Sequence, residues 1–89
     1  MTPVLAPRER AAALFIHDYA VENGYCPTLA EIAERVGVAH RAAAADIVRR
    51  LRLLGVVATA PEKQARSYRL ADGVVVHKGE IYITVETDA

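Results

Sequence analysis

Thr28-Leu-Ala-Glu31 precedes an apolar run, and no other stretch of this chain restricts its fold so tightly. The threonine hydroxyl can accept the backbone N–H three residues on, while the glutamate there reaches back to the threonine N–H, so a helix starts at a defined residue. Leu29, Ile32, Ala33 and Val36 follow at spacings of three and four, giving a short helix one buried stripe. Gly37 falls where the chain must turn with positive φ, and Val38 drops back into the core. A second helical pattern begins at once, so the order is helix, tight turn, helix.

That second helix is expected over residues 41–54, with Ala44, Ile47, Val48 and Leu51 as its core stripe. His40, Arg41, Ala42, Ala45, Asp46, Arg49 and Arg52 then point away from the core. Small side chains let a helix approach a groove closely, and alanine methyls can meet the thymine C5-methyl. Arginines toward the end of such a helix suit phosphates better than base edges. The plainer reading of residues 42–45 is that alanine is a strong helix former. Residues 55–59 read as a strand and 67–70 as its partner, with a polar loop over 61–66. Lys63 and Arg66 in that loop would lie along the backbone or minor groove of a duplex.

Ahead of this unit, a helix is expected from Pro7 to Asn23, since proline suits the first helical position. Ala12, Phe15, Ile16, Tyr19 and Ala20 form its core face, and Gly24 stops it. Tyr25-Cys26-Pro27 is an extended link, because the residue before a proline avoids helical angles.

The net charge of zero hides an asymmetry: residues 1–38 carry −2, residues 39–69 carry +5 and residues 70–89 carry −3. The basic third coincides with the second helix of the pair and the loop behind it. Eighty-nine residues make one domain with a modest core. One cysteine excludes an internal disulfide and a cysteine-rich zinc site, so a reducing cytoplasm is the expected compartment. The first seven residues lack the basic and apolar regions of a signal peptide, and no apolar run approaches the roughly 18 residues a membrane span requires. His17, His40 and His77 are scattered without metal-ligand spacing, Cys26 is a lone thiol, and no glycine-rich phosphate loop occurs. Neither an enzyme nor a cofactor is expected.

With these residues in place, the chain resembles the N-terminal winged-helix domain of the LexA repressors, which control the bacterial SOS response. The resemblance runs from about Leu5 to Leu70. It is carried by Asn23-Gly24-Tyr25-Cys26-Pro27-Thr28, by Ala30-Glu31-Ile32-Ala33-Glu34-Arg35-Val36-Gly37, by Leu51 with Gly55-Val56-Val57, and by Arg66-Ser67-Tyr68-Arg69-Leu70. It implies three helices and a two-stranded wing, with the third helix in the major groove of double-stranded DNA. Family members read bases with serine, asparagine, alanine and two glutamates; the matching positions here are His40, Ala42, Ala43, Ala45 and Asp46. Only Ala43 is kept, with Asp46 a shortened acid, so an SOS-box specificity is not expected. Arg8 matches a family arginine that contacts backbone phosphate. The family continues into a Ser–Lys peptidase domain; the 89 residues leave no room for one, and self-cleavage is not expected.

Beyond Leu70, Val74-Val-Val-His77 and Glu80-Ile-Tyr-Ile-Thr-Val-Glu86 read as a hairpin closed by Lys78-Gly79. Val74 should pair with Ile83 and Val76 with Ile81, giving with Val85 one apolar face. Such a face must be buried, on the domain or on a partner; joined by Leu53 and Leu54, it is expected to be a homodimer contact or a docking surface for another regulatory protein, with simple internal packing as the alternative.

The expected fold is therefore α+β, mostly α: a winged helix-turn-helix over residues 1–70, extended within the same domain by a hairpin over residues 71–89. The expected function is that of a small cytoplasmic transcription regulator, a dimeric repressor. The alternative is a winged-helix module that binds protein without sequence-specific DNA binding.

Overall fold

The computed structural model describes residues 3–59 and 68–84. Three helices, α1 (Pro7–Asn23), α2 (Leu29–Val36) and α3 (Arg41–Leu53), are followed by β1 (Val57–Thr59), β2 (Tyr68–Leu70), β3 (Val74–His77) and β4 (Glu80–Ile83). The strands form two antiparallel pairs, β1 with β2 and β3 with β4. This is a winged helix-turn-helix with an added hairpin.

Each helix boundary has a local cause. Before α1, the Glu9 carboxylate accepts the Ala6 N–H at 2.9 Å, which is half of a capping box, since alanine has no oxygen to return the bond. Before α2 the box is complete: Thr28 N–H donates to Glu31 at 2.8 Å and Glu31 N–H donates to the Thr28 hydroxyl at 3.2 Å. At the end of α2, Gly37 takes φ 77°, and the N–H groups of Gly37 and Val38 both reach the Ala33 carbonyl at 3.0 Å. This closure needs a left-handed residue, which glycine adopts without steric cost, and it returns Val38 toward the core.

The expected stripe on α1 requires correction. Ala12, Ala13 and Ile16 are fully buried, whereas Phe15 and Tyr19 are only partly so. Alanine at position 13 lets α1 approach its neighbours closely. The larger rings lie to one side in an edge-to-face series, with centroids 5.5 Å apart for Phe15–Tyr19 and 5.7 Å for Tyr19–Tyr25. On α3, Ala44, Val48 and Leu51 are buried as the spacing predicts, and Ile47 packs at their edge.

The first wing strand begins at Val57 rather than at Gly55. Gly55 turns the chain with φ 80°, and Val56 spends its N–H on the Leu51 carbonyl, closing α3. Val57 then pairs with Leu70, Ala58 with Arg69 and Thr59 with Tyr68. The loop expected over residues 61–66, with Lys63 and Arg66, lies outside the described residues.

The hairpin has the expected register, Val74 opposite Ile83 and Val76 opposite Ile81. Lys78 and Gly79, both with positive φ, make the tight turn that matches strand twist. Its apolar face, however, is turned inward. Ile81 is 3% exposed and belongs to the same core as Ile16, Ile32 and Leu51, with Val74, Val76 and Ile83 packed against it. Those four residues are therefore not a free partner or dimer surface. Burial of the face within the fold already removes it from water; Val85 lies outside the described residues. Arg10 holds the turn against α1, donating to the Gly79 carbonyl at 3.0 Å and to the Glu80 carboxylate at 2.7 Å.

Candidate nucleic-acid interface

The outward surface of α3 is set by the residues its inner stripe leaves free. With Ala44, Val48 and Leu51 buried, residues 42, 46, 49 and 53 form the ridge farthest from the core. Ala42, Asp46, Arg49 and Leu53 are all exposed there. His40 is the residue before the helix and makes no side-chain cap bond. It is exposed together with Arg41, so the N-terminal tip of α3 presents an imidazole and a guanidinium to solvent. Ala43 and Ala45 flank the ridge and are only partly exposed, a departure from the expectation that Ala45 points clear of the core.

The arginines differ in what they are bound to. Arg49 is paired with Asp46 one turn earlier, both side chains being largely exposed. Arg50, on the flank toward α1, meets the Glu9 carboxylate at 2.6 Å. Glu9 is itself 7% exposed and also caps α1, so it ties the start of the first helix to the end of the third. Arg69 lies 3.3 Å from Asp72. Among the described residues, Arg8, Arg41 and Arg52 enter no ion pair, so these three exposed guanidinium groups are available to an external anion. The role of Arg50 is one that helical spacing did not indicate. Its only local sign was a glutamate three residues after the residue that caps α1.

The wing brings Tyr68 of β2 beside the C-terminal half of α3. Ala45, Asp46, Val48, Arg49, Arg52 and Tyr68 together enclose a cleft. Arg35 of α2 lies 6.0 Å over the Phe15 ring. Among the described residues no three His, Cys, Asp or Glu side chains converge as a metal site requires, and no helix is long and apolar enough to cross a membrane.

Three helices, a wing and an arginine-bearing third helix with its outer face uncovered define a winged helix-turn-helix DNA-binding domain. The model of the LexA DNA-binding domain matches residues 1–67, and the chain belongs to that family. A relative, LexA repressor 2 of Pseudomonas putida, is 40% identical over 68 residues, which are 76% of this chain and 33% of the relative. The chain thus spans about a third of the length of the curated relative it matches.

Proposed function

We propose that this chain is a DNA-binding transcription regulator of the repressor type, acting in the cytoplasm, that lays α3 in the major groove and the wing along backbone or minor groove. The observation that carries this reading is the exposed surface of α3, where Arg49 and Arg52 lie beside the wing and Arg41 at the helix tip, in a segment of net charge +5. His40, Ala42, Ala43, Ala45 and Asp46 form the surface offered to base edges, and Arg8, Lys63 and Arg66 are assigned to phosphates. Residues 71–89 belong to the same domain as a stabilising extension. The regulator is a dimer in this reading, with Leu53 and Leu54 as the contact that remains once the hairpin face is taken up by the core.

Binding of a labelled random duplex, followed by fluorescence anisotropy over a salt series, tests the DNA reading. Wild type should bind at low salt with a steep salt dependence, and replacing Arg49, Arg52 and Arg66 together by alanine should abolish most of it. No binding by wild type, or unchanged binding by the triple variant, removes it. A second reading, a protein-docking module, is favoured by one observation: Leu53, 83% exposed, shares the outer ridge with Asp46 and Arg49. In the first reading Leu53→Ser should lose self-association yet still bind random duplex at low salt; in the second neither wild type nor variant binds duplex, and Leu53→Ser loses its protein partner.

A further inference from the structure

The cleft between α3 and β2 has a volume of about 230 Å³ and brings together polar groups of different kinds. Arg52 and Arg49 project from the helix side and Tyr68 from the wing side, while Ala45 and Val48 add only small apolar surface. Tyr68 is held in place twice, by its strand pairing with Thr59 and by packing of its ring against the core. Arg52 enters no ion pair among the described residues. Arg49 gives one terminal nitrogen to Asp46, which leaves other N–H donors of its guanidinium uncommitted. The lining residues therefore bring two positive charges, one negative charge and one neutral phenol.

We propose that this cleft is a phosphate-binding site that takes a single backbone phosphodiester of duplex DNA. Arg52 supplies the charge and the planar fork, Arg49 a second cationic contact, and Tyr68 a neutral O–H donor from the facing element. The inference rests on the DNA-binding reading and deepens it, because it fixes where one strand is gripped relative to the helix. A phosphodiester fits better than a free dianion: the Asp46 carboxylate in the wall repels a second negative charge, whereas a duplex also delivers neighbouring phosphates to Arg41. A donor on each side of the cleft makes the site dependent on the spacing of helix and wing. The phosphate held there then sets how deeply the turn containing Ala42 enters the groove.

Anisotropy titrations with a random duplex at several NaCl concentrations test this, using wild type, Arg52→Ala, Arg52→Lys, Tyr68→Phe and the Arg52→Ala/Tyr68→Phe double variant. Arg52→Ala should lower the slope of log K against log salt by about one and weaken binding about tenfold near 0.1 M salt. Arg52→Lys should keep the slope while losing part of the affinity. Tyr68→Phe keeps the ring that packs the core, and should weaken binding about threefold without changing the slope. The double variant should lose little more than Arg52→Ala alone, because both groups act on one phosphate. Fully additive losses, or no loss for Tyr68→Phe, would overturn the cleft while leaving duplex binding by wild type intact. Inorganic phosphate at constant ionic strength should displace the duplex no better than chloride does. Selective displacement by it would mean a free-anion site and would overturn the backbone assignment.

Discussion

Two carboxylates, Glu9 and Asp46, decide how the positive charge of α3 is distributed. Glu9 is nearly buried, caps α1 through the Ala6 N–H and pairs with Arg50 of α3. Removing it leaves an amide without its acceptor and a guanidinium without its counterion. Glu9→Ala should therefore cost about 2 kcal/mol, and Glu9→Gln, which keeps an acceptor for the cap, about 1 kcal/mol. Urea unfolding with an unchanged m-value checks this, and equal stability of Glu9→Ala and wild type would contradict it. Asp46 acts in the opposite sense, because it holds Arg49 on the surface meant for phosphates. Asp46→Asn should raise affinity for random duplex roughly three- to tenfold at low salt. A weaker-binding Asp46→Asn variant would show instead that the carboxylate's contact with base edges outweighs its hold on Arg49. The Asp46–Arg49 pair, three residues apart on one helix, was within reach of helical spacing, but the role of Glu9 was not. Glu9 and Arg50 are far apart along the chain, and helical spacing indicates which face a residue occupies, not which partner a neighbouring element supplies.

At the scale of elements, legibility followed the range of the forces involved. The α2 boundaries came from Thr28, Glu31 and Gly37, all of which act within one turn, and they were readable to the residue. The hairpin register was equally readable, since the alternating valines and isoleucines admit one pairing across Lys78-Gly79. Which way its apolar face turns was not, because that depends on α1 and the core reaching it from distant sequence. The same limit explains Ala13, whose small side chain carries little hydrophobic signal but permits close helix packing. The inward face yields a sharp contrast. Ile81→Ala should destabilise by about 3 kcal/mol through the cavity left at a 3% exposed site. Val75→Thr, on the outer face and 46% exposed, should change stability by less than about 0.5 kcal/mol. Thermal or urea unfolding of the two variants separates them, and similar losses in both would mean that the hairpin is not docked as described.

For the whole molecule, the hairpin adds Ile81 to the core formed by the helices and the first wing strand. The family match ends at residue 67, yet Ile81 packs in the cluster built by Ile16, Ile32 and Leu51. A chain ending at residue 70 should therefore lose roughly 3 kcal/mol or more and expose apolar surface, visible as a lower urea midpoint and dye binding. A truncated chain as stable as the full one would reduce the hairpin to an appendage. The interface on α3 should survive truncation wherever the fold does, since none of its residues lies beyond Tyr68.

Arg10 and Glu80 are separated by 70 positions, whereas Tyr19 and Glu31 meet across 12. Closing the longer loop costs about 1.5 kcal/mol more in chain entropy on the logarithmic scaling of loop closure. The three helices can thus assemble from short-range encounters, while the clasp waits until both ends of the described chain are ordered. Hydrogen exchange should record that order in reverse: the hairpin amides open first, as one cooperative unit, and the helix-turn-helix retains its protection after they have gone.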